Sequence, residues 1–221
     1  EDREGHWYPD KITRAQTHSV HGDWYEEQDN IHDWVRESQI HQARATKFMT
    51  DAYRRRGDVM NHTAIHLLID AWPAGWMKTL VDCEREPKRA YFAYRDALVP
   101  LRINLYTGRT CVYEEETIDV EAWLLNDTGT ETSVITVAAV WEDGEKEPYE
   151  SFAQPGTIEA ANARCMGRIP VSFQKREDLV DGRTVYVKAA IKDETGKILN
   201  QETITFQVYK RMKRDIDVYP M

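Results

Sequence analysis

The chain has 221 residues, of which 41% are hydrophobic and 30% are charged, a balance typical of globular proteins. Its 29 basic and 38 acidic side chains give a formal net charge of −9, which argues against binding nucleic-acid phosphates. No apolar run reaches the roughly 18 residues that a membrane-spanning helix needs. Cys83, Cys111 and Cys165 lack CxxC spacing, so we expect buried free thiols and no structural zinc site. The composition predicts no nucleic-acid or membrane partner.

Composition divides the chain near residue 100. All seven histidines and five of the seven tryptophans lie before residue 77, whereas the segment after Pro100 has no histidine and shows the alternation typical of strands. Both halves are acidic overall, so neither carries a basic surface. We therefore predict two domains, residues 1–100 and 101–221.

The first domain predicts the order helix, buried strand, helix. Helical spacing of apolar residues, with Asp29 or Asn30 as N-cap and Gly57 as terminator, predicts a helix over 31–56. The apolar run 64–69 predicts a strand buried on both faces, as in parallel sheets. Pro87 favours the first turn of a second helix, which Pro100 ends. Because one interior strand needs partner strands, most of the parallel sheet is expected to lie outside this sequence.

The second domain predicts an all-β immunoglobulin-like sandwich. Apolar side chains alternate over 118–124, 185–191 and 204–208, which places them on one face of each strand. Turn signals such as Asp143-Gly144, Asp181-Gly182 and Glu194-Thr195-Gly196 separate roughly eight strands. The Cys-Trp-Cys arrangement of antibody domains is not convincingly present.

The residues around the apolar run form a longer pattern, whose members in order are Leu68, Asp70, Trp72, Pro73, Asp82, Pro87, Lys88, Tyr91 and Pro100. With this approximate spacing they resemble the end of the catalytic barrel in glycoside hydrolase family 2, where the mannosidase-like branch reads roughly W-x-L-N-D-x-W-P. Residues 120–127 likewise resemble the opening of the sandwich domain that follows the barrel. His66 and Ile69 depart from the tryptophan and asparagine of many relatives, which leaves the substrate open.

The resemblance implies a fold and an activity. It implies that residues 1–100 are an α/β fragment, the last strand and helices of a TIM barrel, within a retaining β-glycosidase. That chemistry needs two carboxylates about 5 Å apart, an acid/base and a nucleophile. In the family both are glutamates at the ends of strands 4 and 7, and this chain is expected to begin after strand 7. We therefore assign no catalytic residue, expect no activity from the chain alone, and expect the upstream part of the enzyme or another copy of the chain as partner.

Four residues near the end of the apolar run are candidate carbohydrate-binding residues, because barrel sites lie at the carboxyl ends of the strands. Trp72 and Trp76 suit stacking under a sugar ring, or packing against the last helix. Asp70 suits a hydrogen bond to a sugar hydroxyl or to neighbouring groups of the loop. His66 suits contact with substrate at the barrel mouth, or an interior hydrogen bond.

Two other interpretations compete with a glycosidase. His62 and His66 have the spacing of a zincin helix, but Thr63 stands in place of the glutamate base, so we expect no metal and no cofactor. A chain acting by itself as a non-catalytic carbohydrate-binding or protein-interaction module is the second hypothesis. Sugar binding by the isolated sandwich, residues 101–221, would favour it.

Overall fold

The computed structural model describes residues 29–57, 59–60, 62–72, 78–177 and 182–210. The chain divides into two compact units, Glu1–Val99 and Pro100–Met221. Among the described residues, helix α1 (Ile31–Arg54) and helix α2 (Arg89–Ala97) belong to the first unit, and eight strands belong to the second. Within the described ranges, no helix has the length and apolar character that crossing a membrane requires.

Helix α1 begins as the sequence predicts. Asn30 is the N-cap, and its side-chain oxygen accepts a hydrogen bond of 3.0 Å from the backbone N–H of Asp33. The helix ends at Arg54, two residues before the predicted end. Arg54 donates from Nη1 to the carbonyl oxygens of Ala97 and Val99, at 2.6 and 2.9 Å, which joins the end of α1 to the end of α2.

Helix α2 is shorter than predicted. It starts at Arg89, so Pro87 lies before the helix. Pro87 forms an isolated antiparallel bridge with Val81. Lys88 occupies the N-cap position with extended backbone and makes no side-chain cap bond. The side chain of Lys88 instead forms an ion pair with Asp70.

The prediction of a regular, fully buried strand over 64–69 is wrong for the described structure. Ile69 forms a single parallel bridge with Val81, and the side chains of Leu67 and Leu68 are 43% and 57% exposed. Hydrogen bonds from the backbone N–H groups of Leu80 and Val81 to the carbonyl oxygen of Leu68 give this segment its pairing. A regular strand needs backbone hydrogen bonds to a neighbouring strand along its whole length. Here such bonds form at the carboxyl end of the segment 64–69.

The second unit is a β-sandwich, as the alternation predicts. A three-stranded sheet has the order β1-β3-β6 and a five-stranded sheet has the order β2-β8-β7-β4-β5. All pairs are antiparallel except β2 with β8. The strands are β1 (Leu101–Tyr106), β2 (Cys111–Tyr113), β3 (Thr117–Asn126), β4 (Thr132–Glu142), β5 (Glu150–Ile158), β6 (Asn162–Ser172), β7 (Arg183–Lys192) and β8 (Ile198–Tyr209).

The inward-facing side chains of both sheets form one apolar core. Predicted core residues such as Val120, Leu124, Val187 and Phe206 are fully buried. Burial of such side chains is the main favourable contribution to folding of a unit of this size. Gly144 and Gly196 have φ near +84°, so the predicted turns need the conformational freedom of glycine at these two positions.

A buried polar cluster crosses the sandwich between β1 and β8, which belong to different sheets. The Glu202 carboxylate accepts hydrogen bonds from Arg102 Nη2 at 3.2 Å, Asn104 Nδ2 at 3.1 Å and the Leu105 backbone N–H at 3.0 Å. The side chains of Arg102 and Glu202 are 4% and 5% exposed. A buried charge needs such partners, so this cluster fixes how the two strands face each other.

Two cysteines are more exposed than predicted. Cys111 and Cys165 are free and exposed, and Cys83 is free and half-buried. Cys111 lies in the short strand β2 and Cys165 lies in β6, both at sheet edges, where outward positions face solvent. The expectation of buried thiols is therefore wrong for these two residues.

Candidate functional site

The candidate site is built on two segments of the first unit that are joined by backbone hydrogen bonds. The backbone N–H of Asp70 donates to the carbonyl oxygen of Val81 at 3.1 Å, and the N–H of Lys88 donates to that of Leu80 at 2.9 Å. Gln42 of α1 donates from its side chain to the carbonyl oxygen of Thr79 at 3.1 Å. These bonds hold residues 68–70 against 79–88 and place α1 beside them.

Asp70 lies in a buried polar cluster with Thr79 and Lys88. Its Oδ2 accepts hydrogen bonds from Thr79 Oγ1 at 2.8 Å and from Lys88 Nζ at 3.1 Å, and Lys88 Nζ lies 2.5 Å from Thr79 Oγ1. The Asp70 and Lys88 side chains are 9% and 14% exposed. The carboxylate therefore binds neighbouring side chains, and this ion pair anchors the chain immediately before Trp72.

Trp72 is the exposed member of the candidate set. Its exposed fraction is 67%, two residues after the anchored Asp70. An indole that offers this much apolar surface on an anchored segment has the form needed to stack on the C–H face of a sugar ring. Trp76, the other predicted stacking residue, lies outside the described residues.

His66 is exposed and lines a groove beside helix α1. The groove has a volume of about 380 Å³ and a mainly apolar lining. Its lining residues are Gln42, Ala45, Thr46, Met49, Thr50, Tyr53, Thr63, Ala64, Ile65, His66, Lys78 and Tyr94. In the neighbouring part of α1, burial lowers the pKa of His41, and the nearby charge of Arg44 lowers it further, so that imidazole favours its neutral form.

Sequence reasoning missed the partners of Asp70. Thr79 and Lys88 complete its cluster, although neither was selected as a site residue. The Pro87-Lys88 pair belongs to the pattern quoted above, so it could have pointed to Lys88 as a partner for the aspartate. Among the described residues, no group of three or more histidine, cysteine or acidic side chains is arranged to hold a metal ion.

Asn126 opens the sequence Asn-Asp-Thr, an N-glycosylation sequon, but hydrogen bonds hold its side chain inside the fold. The side chain is fully buried, and its Nδ2 donates to the carbonyl oxygens of Thr130 and Glu159, both at 2.9 Å. Its Oδ1 accepts a hydrogen bond from Thr128 Oγ1 at 2.6 Å. An amide held in this way joins two loops and offers no nitrogen for glycan attachment in the folded chain. Asn61, which opens the sequon Asn-His-Thr, lies outside the described residues.

Solved structures share the fold of this chain. A β-D-mannosidase from Dictyoglomus thermophilum matches with a TM-score of 0.62 and 15% sequence identity, covering 86% of this chain and 22% of its own. An exo-chitosanase from Amycolatopsis orientalis matches with a TM-score of 0.55 and 18% identity, covering 80% of this chain and 20% of its own. This chain thus spans about a fifth of the length of each enzyme.

The sequence by itself gives no further assignment. No protein-family model matches it. No curated protein matches it either. These comparisons show a fold shared with part of two glycoside hydrolases.

Proposed function

We propose that this chain is the C-terminal part of a retaining β-glycosidase related to glycoside hydrolase family 2. In this proposal the first unit is the end of the catalytic barrel and the second is an accessory immunoglobulin-like sandwich. The observation that carries the proposal is that the likeness to the β-D-mannosidase extends over 86% of the chain, and so over most of both units. The ordered pattern from Leu68 to Pro100 supports it independently.

Trp72 forms one wall of the sugar-binding site in this proposal. Its exposure, and the anchoring of the preceding residues by Asp70 and Lys88, support that role. Asp70 then acts as a positioning residue, because its carboxylate is already bonded to Thr79 and Lys88. We assign His66, which lines the groove beside α1, and Trp76 to the same carbohydrate-binding region.

The catalytic glutamates belong to the upstream polypeptide in this proposal, so the 221-residue chain is inactive alone. Exposed apolar side chains of the first unit support a missing partner, since large apolar patches on single chains mark interaction surfaces. Exposed side chains of this kind include those of Val35, Phe48, Met49, Leu67 and Leu68. We propose that the remainder of the barrel covers them.

The test is reconstitution of glycosidase activity. The chain and the polypeptide encoded immediately upstream are mixed, and hydrolysis of a panel of aryl β-glycosides is measured for each part and for the mixture. We expect activity from the mixture and none from this chain. A folded 1:1 complex that hydrolyses no member of the panel would contradict the proposal, as would hydrolysis by the 221 residues alone.

A substitution at Trp72 tests its assigned role in the active mixture. We expect W72A to lower kcat/KM roughly tenfold, because a lost aromatic contact is worth about 1.4 kcal/mol. The control is Y113A, which removes a 45% exposed aromatic ring from the sandwich and should leave kcat/KM unchanged. Equal effects of the two variants would refute a role of Trp72 in sugar binding.

A further inference from the structure

A small cavity opens at one edge of the sandwich. It has a volume of about 180 Å³ and lies where β5 and β6, the edge strands of the two sheets, approach each other. Strands β3 and β4 complete its wall. Its lining residues are Ala122, Thr136, Ala138, Phe152, Ala153, Gln154, Met166, Gly167, Arg168 and Ile169. Ala153, Gln154 and Arg168 are exposed, so they mark the side on which the cavity meets solvent.

Local backbone irregularity shapes this cavity. The pairing of β3 with β6 changes register between Ala122 and Trp123, and on β6 the extra residue is Met166. Gly167 follows with φ of 151°. On β5, a Cβ at Gly156 would lie 1.9 Å from the terminal methyl carbon of Met166, so that methionine fills the space above a glycine. A bulge and two glycines thus set the outline of the cavity.

The wall of the cavity contains one unsatisfied hydroxyl. Thr136 occupies an inward-facing position of β4 in line with the buried residues Val134 and Ala138, and it is 6% exposed. Its Oγ1 has no hydrogen-bond partner in the part of the chain that the structure describes. Burying a hydroxyl without a partner is unfavourable, so a ligand that supplies one gains a hydrogen bond the protein lacks.

We propose that this cavity binds a small aromatic alcohol. The aromatic ring lies among Ala122, Ala138, Phe152 and Met166, and the ligand hydroxyl forms a hydrogen bond with Thr136 Oγ1. The size fits, because a cavity of about 150 Å³ lined by apolar side chains is large enough for benzene. This site belongs to the sandwich and does not depend on the proposed glycosidase activity.

Phenol and toluene binding to the full chain tests the proposal. The two probes have nearly the same size, but toluene leaves water more readily, so a wholly apolar cavity favours toluene. We expect saturable phenol binding, followed through the NMR signal of the Met166 methyl group, with an affinity at least equal to that of toluene. Binding of toluene alone, or no phenol-dependent change at Met166, would overturn the proposal.

Substitutions of threonine isolate the hydroxyl. T136V keeps the side-chain shape and removes the hydroxyl, so we expect phenol affinity to fall three- to tenfold while toluene affinity is kept or increased. T203V makes the same change at an exposed position of β8 and should alter neither affinity. Equal phenol binding by T136V and the unchanged chain would refute the assigned hydrogen bond. T136S keeps the hydroxyl and should retain phenol binding, which keeps the test valid if T136V folds poorly.

Discussion

Replacing Arg102 with methionine should destabilise the sandwich strongly. Arg102 and Glu202 are both almost fully buried, and the Glu202 carboxylate also accepts hydrogen bonds from Asn104 and Leu105. R102M removes the Arg102 guanidinium from this buried carboxylate. Removal of one partner from a buried ion pair costs about 3 kcal/mol or more. Because both side chains are excluded from water, no reduction for solvent screening applies.

Urea unfolding of the second unit, followed by the fluorescence of Trp123 and Trp141, measures this cost. With a slope of about 1.5 kcal/mol per molar urea, a loss of about 3 kcal/mol moves the midpoint down by about 2 M. The double variant R102M/E202Q should regain part of this stability. The amide oxygen introduced at position 202 can still accept hydrogen bonds from Asn104 and Leu105, and the buried negative charge is gone.

The matched control is R168M. Arg168 is 65% exposed and pairs with Asp119 and Glu121 at 3.8 and 3.5 Å, so its loss should cost less than about 1 kcal/mol. If R102M unfolds at the same urea concentration as R168M, the buried pair does not contribute as argued. A double variant no more stable than R102M would also contradict the reasoning.

Three further predictions concern individual residues. G156A should lower the free energy of unfolding by more in the unchanged chain than in M166A, because its new methyl group meets the Met166 side chain; equal losses would contradict this. Burial raises the pKa of Tyr149 to about 12, so its stabilising contribution should be present below about pH 10 and be lost as the pH rises towards 12. When tyrosine ionisation is followed by ultraviolet absorbance, the step near pH 12 should be absent from Y149F. A titration curve of Y149F identical to that of the unchanged chain would refute the assignment of this pKa to Tyr149. N30A should cost about 1 kcal/mol of helix stability, measured by circular dichroism, whereas N30S should cost little.

The sequence predicted elements whose pattern is local. Alternation identified the inward faces of β3, β7 and β8 because a strand repeats every two residues, whatever its neighbours. The N-cap Asn30 and the glycines of the turns are also local signals, and the structure contains them. The end of α1 and the start of α2 were less accurate, because a helix boundary depends on which nearby groups satisfy its terminal backbone.

The segment 64–69 shows what local pattern cannot decide. An apolar run indicates that the segment favours burial, but burial also needs surfaces from elsewhere in the fold, and here Leu67 and Leu68 remain exposed. The partners of Asp70 were missed for a related reason. Lys88 lies 18 residues along the chain, and only tertiary pairing brings its amine to the carboxylate. Trp72 is exposed, and its role in sugar binding stays a prediction.

The position of β8 in its sheet has a consequence for synthesis on the ribosome. This strand, Ile198–Tyr209, is the last described strand to be made, yet it lies between β2 and β7 and supplies Glu202 and Phe206 to the interior. Until β8 leaves the exit tunnel, β7 lacks the neighbouring strand on one of its sides, and β2 lacks the strand with which it pairs. The nascent sandwich therefore depends on late, long-range closure, during which chaperones have their clearest opportunity to bind it.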